Sequence, residues 1–306
     1  MIHVVDPGLL TTVQDSGRWG SQELGVPVSG PMDWVSHRLA NRIVGNDHDA
    51  ATLEVSLVGP VLEFRDGTSF AVVGAEFELW LDGKAVPETT SVLAVPGSRL
   101  QFGRRGAGAR AYLAVGGGID VSPTLGSRST HLAGGLGGLG GRALRRGDQL
   151  EVGAISGEPL RGGCRWLRPM PMGGSTVRVL AGEEEGLFDG ATVSRFADVQ
   201  YIVAPESNRM GYCLVGPRIE LLHTQPLLSS VTAIGTIQVP PSGQPVLLMA
   251  DRQTTGGYAK MGVVITADLP AAGQLGPGDW IAFRWCERLE AVAALIDLEQ
   301  QFMELS

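Results

Sequence analysis

Ala111-Tyr112-Leu113-Ala114-Val115 enters a polar loop from Gly116 to Thr130, after which the turn Arg146-Gly147-Asp148 leads into Leu150-Glu151-Val152. Val246-Leu247-Leu248-Met249-Ala250 behaves alike: it enters the polar loop Asp251 to Tyr258, and Gly278-Asp279 then leads into Trp280-Ile281-Ala282-Phe283. Short apolar runs bounded by turn residues read as strands, and Gly-Asp supplies turn chemistry. Strand, functional loop and Gly-Asp turn therefore occur twice in one order. A sheet must close or be covered to lose its edges, so this order predicts a mainly β chain with few helices. It would form two related barrel-like domains, joined between Pro159 and Ser175. Common turn chemistry explains the same order without kinship, and both explanations stand at this point.

The rest of the chain fits that frame. Val61 to Phe64, Phe70 to Val73, Phe77 to Leu81, Val92 to Val95 and Leu100 to Phe102 are short apolar runs, many alternating with polar residues. Two segments depart. Val35, Leu39 and Ile43 recur every four residues, with Pro31 suited to a helix start and Gly45 to a stop, so a surface helix is expected between Met32 and Val44. A second helix is expected over 287–305, with Leu289, Val292, Ile296 and Phe302 on its apolar face.

Composition bounds the function. The 306 residues exceed one usual domain, and 44 Gly with 18 Pro describe a chain that turns often. A formal charge of −8, with no basic run longer than pairs such as Arg104-Arg105 and Arg145-Arg146, argues against a nucleic-acid partner. Cys164, Cys213 and Cys286 are odd in number and far apart, which suits a reducing cytoplasm better than a disulfide framework. The start, Met1 to Pro7, does not read as a signal peptide. Leu221 to Ala250 carries no formal charge, but Pro226, Pro240, Pro241 and Pro245 exclude a membrane-spanning helix there. His3, His37, His48, His131 and His223 show no zinc spacing, so no metal is expected.

Gly134 to Gly141 contains a formal G-x-G-x-x-G, but it leads into a turn and strand instead of opening a helix, so a dinucleotide site is not expected. No Walker-type run and no G-x-S-x-G elbow occurs. Polar chemistry concentrates elsewhere. Gly235 to Pro245 and Asp251 to Tyr258 bring Gln238, Gln244, Asp251, Arg252, Gln253, Thr254, Thr255, Gly256, Gly257 and Tyr258 around one apolar strand. Amide side chains can pair with an amide or lactam edge, an arginine can hold a carboxylate or oxyanion, and paired glycines admit close backbone approach. The same residues could simply satisfy a tight double turn. Ser127, Arg128 and His131, and separately Arg209, are further candidates for a pocket wall, against the plain alternative of solvated loops and turns. Asp15 and Arg18 are close enough in sequence for a local ion pair.

TTVQDSGRWG, GVPVSGPMD, NRIVGN with ATLEV, GGGIDVSPTLGSRSTH, SNRMGYCLVGP, GTIQVPPSGQPV and DRQTTGGYAKMGVVITADL occur in order from about Val5 to Phe283. In this the chain resembles the KipA-like family, a family of 5-oxoprolinase subunits also called allophanate hydrolase subunit 2. The resemblance implies a biotin-dependent-carboxyltransferase-like chain of two cyclophilin-like β barrels, at 1–165 and at 166–306 with the terminal helix. It also implies a KipI-like partner subunit, in a heterotetramer, and a LamB/YcsF-like subunit that completes an ATP-dependent opening of 5-oxoproline to glutamate. ATP would then be used by the complex, in this chain or in a partner. The expected working residues are Asp251, Arg252 and Gln238, with Gln244, Gln253, Thr254 to Tyr258, Arg209, Ser127, Arg128 and His131 binding the small amide substrate. Arg252 and backbone donors would polarise the carbonyl while Gln238, Gln244 and Asp251 orient its nitrogen side. Two alternatives accompany this. One is a urea-carboxylase-like carboxyl transfer using biotin, for which this chain lacks a biotinylation motif; the other is a regulator that binds a KipI-like kinase inhibitor. Two departures from the family pattern are Cys213, where an arginine is common, and Ser229-Ser230, where an acidic residue is common.

Overall fold

The computed structural model describes residues 1–160, 169–222 and 227–304. The proposed domain boundary at 165/166, Cys164, His223 and Pro226 lie outside the described residues. The chain forms two compact units: Met1–Trp19 with Ser29–Met170, and Gly20–Val28 with Pro171–Glu304.

The class is mainly β. In the first unit, strands Ile119–Asp120, Gln149–Val152, Ile2–Asp6, Val61–Phe64, Arg99–Arg105, Phe77–Leu81 and Lys84–Ala85 lie side by side in a seven-stranded sheet. Leu10–Gln14, Thr52–Ser56, Arg110–Val115, Thr68–Gly74 and Val92–Ala94 form a five-stranded one. Both contribute to one apolar core, in which Ile2, Leu62, Phe64, Phe70, Leu100 and Leu113 are essentially sealed from water. The strand periodicity explains why: in Phe77–Leu81, Phe77 and Leu79 face the core while Glu78 and Trp80 face out.

The second unit contains a closed seven-stranded barrel in the order Gly174–Ala181, Ala259–Val264, Thr236–Val239, Val246–Leu248, Gly211–Val215, Gln200–Val203 and Trp280–Trp285. The ring closes through a parallel pairing of Gly174–Ala181 with Trp280–Trp285, and closure leaves the main barrel strands without an open edge.

The duplicated turn is the same object in both units. Gly147 and Gly278 share a φ of +90°, in the left-handed region that glycine favours. Gly147 N–H donates to the Val4 carbonyl and Val4 N–H to the Asp148 carbonyl, at 2.8 and 2.9 Å. Gly278 and Asp279 make the same two bonds with Val203, at the same distances. In each turn the aspartate side chain also accepts a backbone N–H from three residues upstream, from Arg145 or Gly276. Such agreement in bonding favours kinship of the two halves over coincidence.

Four helices are described: α1 (Trp34–Ile43), α2 (Gly190–Asp198), α3 (Leu269–Gly273) and α4 (Arg288–Glu304). α1 starts after Asp33, whose carboxylate accepts from the N–H groups of Val35 and Ser36; the N-cap is Asp33, and Pro31 stands outside the helix. Seven of its ten residues are buried, so it is no surface helix. α2 is capped by Asp189 and docks through Phe196, whose ring stacks on Phe283 at 4.6 Å. α4 buries Ala294, Leu298 and Phe302, whereas Leu289, Val292 and Ile296, three of the four residues expected inside, are exposed.

The Gly-rich run Gly134 to Gly141 is folded against its own chain. A Cβ on Gly137 (φ +65°) would lie 2.1 Å from the Ser129 carbonyl oxygen, and one on Gly138 2.0 Å from the Thr130 hydroxyl. At both positions a side chain would collide with the chain itself, so glycine is required. Gly137→Ala should therefore destabilise by more than the ~1–2 kcal/mol of the left-handed backbone alone, read as a lowered unfolding midpoint in urea.

Candidate active site

The polar loop after Val246–Leu248 is anchored by a buried ion pair. Arg209 Nε and Nη2 donate to the two Asp251 oxygens at 3.1 and 3.0 Å, with both side chains about 5% exposed. The Asp251 N–H donates to the Arg209 carbonyl at 2.8 Å. This clamp fixes where Arg252 leaves the chain.

Arg252 is itself only 8% exposed, and its guanidinium donates from Nε to the Thr232 carbonyl at 3.2 Å. Burial pulls its guanidinium below the ordinary arginine value, and among the described residues no carboxylate offsets that cost. A buried cation in this position is a ready partner for an anionic or polarised oxygen.

Around it the amides meet. Gln253 Nε2 donates to Gln238 Oε1 at 3.1 Å, which leaves the Gln238 NH₂ buried and without a partner among the described residues. The Thr232 hydroxyl donates to the Gln253 carbonyl, and the Thr232 N–H to the Thr254 carbonyl. Ser230–Val231 pairs with Thr255–Gly256 as a small two-stranded ladder. A Cβ on Gly256 would sit 2.6 Å from Gln238 Nε2, so the missing side chain keeps open the space in front of that amide. Gly257 lies beside Leu227 and Ser229, and Tyr258 is half-exposed.

Lys260 was not among the residues expected from sequence. Its backbone is in register with Gln238 across neighbouring strands, which puts both side chains on one face of the wall. Its Nζ donates to Glu183 Oε2 and Ser230 Oγ, each at 2.6 Å, while its side chain is 5% exposed. The Ser230 hydroxyl thus accepts a lysine N–H, and Glu183 supplies the carboxylate. Only knowledge of strand register, or a lysine surviving in an otherwise apolar strand, could have flagged this residue.

Gln244 is placed differently from expectation. Its amide accepts from the Gly216 N–H at 3.0 Å and donates to the Gly216 carbonyl at 3.1 Å, bracing the chain after Gly211–Val215 instead of joining the Gln238 amide. Cys213 lies in that strand, with its backbone tied to Ser207; burial, then the nearby Glu206, pushes its thiol upward.

Ser127, Arg128 and His131 belong to the first unit. There Asp15 is the hub: Oδ1 accepts from the hydroxyls of Ser127 and Ser129, each at 2.6 Å, and Oδ2 from the Arg128 N–H. Burial acts to raise the Asp15 carboxyl, but the two hydroxyls and the Arg128 and Gly17 N–H groups outweigh it, and the net is a lowered value. The expected local pairing with Arg18 is replaced by these bonds, while Arg18 donates to the carbonyls of Thr124 and Ser129. His131 is buried behind this loop. A cleft of about 450 Å³ opens here, lined by Asp15, Asp47, Asp49, Asp120 and Arg128 among others. With four carboxylates to one guanidinium it is poorly suited to an anionic ligand.

Beneath α1, His37 Nδ1 lies 3.0 Å from the Thr52 hydroxyl, in fully buried surroundings. Desolvation lowers its value from 6.5 to about 4, against the opposing pull of Asp15, Glu54 and Asp49. The unfolded chain therefore binds the extra proton between pH 6.5 and 4. The corresponding stability is complete above about 6.5 and is lost as pH falls towards 4, by up to roughly 3 kcal/mol. Urea titrations at pH 7 and 4.5 should show that loss in the wild type and a clearly smaller one in His37→Gln.

Among the described residues no group of three or more His, Cys, Asp or Glu is placed to hold a metal ion, and no helix is long and apolar enough to cross a membrane.

Comparison with known proteins shows the family. The family model described as "Carboxyltransferase domain, subdomain A and B" matches residues 24–285. The chain belongs to that family. Among its members, a 5-oxoprolinase subunit of Escherichia coli K12 is 39% identical over 307 aligned residues, covering 100% of this chain and 98% of the relative. The 5-oxoprolinase subunit of the same name from Haemophilus influenzae is 36% identical, covering 95% and 93%. The crystal structure of Kluyveromyces lactis urea carboxylase superposes with a TM-score of 0.94 at 32% identity, covering all of this chain and 29% of that one. The carboxyltransferase fold thus accounts for the whole chain.

Proposed function

We propose that the chain is one subunit of an ATP-dependent 5-oxoprolinase that opens 5-oxoproline to glutamate together with a KipI-like and a LamB/YcsF-like subunit. The observation that carries this reading is Arg252, a buried guanidinium with no carboxylate partner among the described residues, next in sequence to Gln253 of the amide pair. 5-Oxoproline has both a lactam amide and a carboxylate, so it can use both kinds of group; urea has no carboxylate. The full-length match to relatives named as 5-oxoprolinase subunits supports the same reading.

In this mechanism Arg252 holds substrate oxygen, Gln238 and Gln253 fix orientation, and Gly256 leaves room for close approach. The Arg209–Asp251 clamp positions Arg252, and Asp251 keeps lone pairs with which to meet a substrate N–H. The phosphoryl group of ATP would activate the lactam carbonyl towards water. The Gly-rich run is packed against Ser129 and Thr130 and no Walker-type run occurs in the sequence, so we place ATP in a partner subunit. An ATP-dependent reaction of this kind belongs in the cytoplasm.

Carboxyl transfer from biotin to a urea-like acceptor is the second reading, favoured by the likeness to the urea carboxylase structure. Biotin would arrive on a separate carrier and bring an activated carboxyl group. The test is to co-express the chain with KipI-like and LamB/YcsF-like neighbours and measure ATP-dependent glutamate release from 5-oxoproline, omitting each subunit in turn. Activity that disappears without this chain supports the first reading; a well-formed but inactive complex sinks it.

A further inference from the structure

We infer that Lys260, Gln238 and Arg252 form a donor cradle for a carboxylate, with Glu183 as its displaceable counter-ion. The inference deepens the reading above by naming which end of the ligand is held, but its binding test does not require turnover.

The three residues belong to one closed circuit of contacts. Arg252 bonds Thr232, Thr232 bonds Gln253, Gln253 bonds Gln238, Gln238 is in register with Lys260, and Lys260 bonds Ser230, two residues before Thr232. Gly256 packs against this circuit: a Cβ there would lie 2.6 Å from Gln238 Nε2, 3.3 Å from Gln253 Nε2 and 3.4 Å from Thr232 Cγ2.

What the circuit leaves unused is donors. Gln238 Oε1 is taken by Gln253, and its NH₂ has no partner among the described residues at 2% exposure. Arg252 spends Nε on Thr232 and keeps its terminal N–H groups. Lys260 spends two of its three protons, on Glu183 and Ser230. A carboxylate offers about four lone-pair sites and a negative charge to such a wall, whereas urea offers only the two lone pairs of one neutral carbonyl oxygen.

Glu183 fits the role of stand-in. Lys260 is 5% exposed but Glu183 is 74% exposed, so the acid reaches in from solvent and another carboxylate can take its place on the buried ammonium. Glu184 accepts the Lys260 backbone N–H and would remain in place.

The decisive experiment is isothermal titration of the full-length chain with acetate, 5-oxoproline, pyrrolidin-2-one and urea. Acetate and 5-oxoproline should bind, and the two neutral ligands at least about tenfold more weakly, the scale of one charge-assisted hydrogen bond. Lys260→Met and Gly256→Ala should weaken carboxylate binding by about tenfold or more. Glu183→Gln, at a solvent-facing position that folding tolerates, should strengthen it several-fold by removing the competitor. A purely structural lysine pair predicts the opposite sign for Glu183→Gln. The cradle is overturned by absence of carboxylate binding, by neutral ligands binding as tightly as 5-oxoproline, or by Glu183→Gln failing to strengthen binding. Carboxylate binding with the expected variant pattern, in a complex that does not open 5-oxoproline, would sink the oxoprolinase reading and leave the cradle standing.

Discussion

Arg252→Ala should lower kcat/KM of the reconstituted complex by about 10²–10³, the scale of removing one partner of a buried, hydrogen-bonded charge pair with the substrate. Its effect on stability should be small or even favourable. The guanidinium is buried, burial lowers its value, and among the described residues it bonds the Thr232 carbonyl and no carboxylate, so truncation removes a desolvation cost and no ion pair. Arg252→Lys keeps the charge but loses the planar fork and should recover only part of the rate. Parallel melting curves and rates decide the matter: wild-type turnover in Arg252→Ala removes the residue from the mechanism. A variant that loses both rate and several degrees of melting temperature would make Arg252 a structural brace.

The strands were legible because each carried its own pattern. Val61–Phe64 and Phe77–Leu81 have the bounds that their apolar alternation predicts, and the Gly-Asp turns announced a repeat that proves to share its hydrogen bonds. Helix faces were less legible. α4 is apolar on two sides, with Leu289, Val292 and Ile296 on one and Ala294, Leu298 and Phe302 on the other; periodicity fixes a helix but not which stripe meets the core. α1 hides Ser36, His37 and Asn41, polar residues that hydropathy assigns to water, because long-range partners such as Thr52 and the Ala50 carbonyl satisfy His37 and Asn41. α2 went unforeseen, since Asp189 as cap and Phe196 as anchor are too few for a periodic signal.

The candidate site was half legible for a related reason. Arg252, Gln238 and Gln253 cluster in sequence and meet in space. Lys260, by contrast, enters through a strand pairing, and Glu183 comes from 77 residues away. Gln244 sits among the same motifs in sequence, yet its amide is spent on Gly216. Residue type can nominate a site, but register and backbone demand determine which side chains remain available to it.

The buried Arg209–Asp251 pair carries the largest stability prediction. Arg209→Met or Asp251→Leu, alone, should each cost about 3–5 kcal/mol, because either leaves its partner's charge buried beside a site that already contains Arg252. For a chain of this size that corresponds to a melting temperature lower by on the order of 10 °C. The two losses are not equivalent in chemistry. Removing Asp251 leaves Arg209 and Arg252 as adjacent buried cations, whereas removing Arg209 leaves Asp251 able to turn on Arg252 and occupy the group that substrate needs. Asp251→Leu should therefore be the less stable of the two, and Arg209→Met should show the larger rise in KM relative to its loss of stability. The double variant should regain much of the lost stability, since an apolar pair of similar volume avoids both desolvation costs, while its rate stays low because the bidentate clamp that aims Arg252 is gone. Equal losses that add in the double variant would mean that the two side chains act independently, and that the loop position of Arg252 is set by the backbone bond between Asp251 and Arg209 alone.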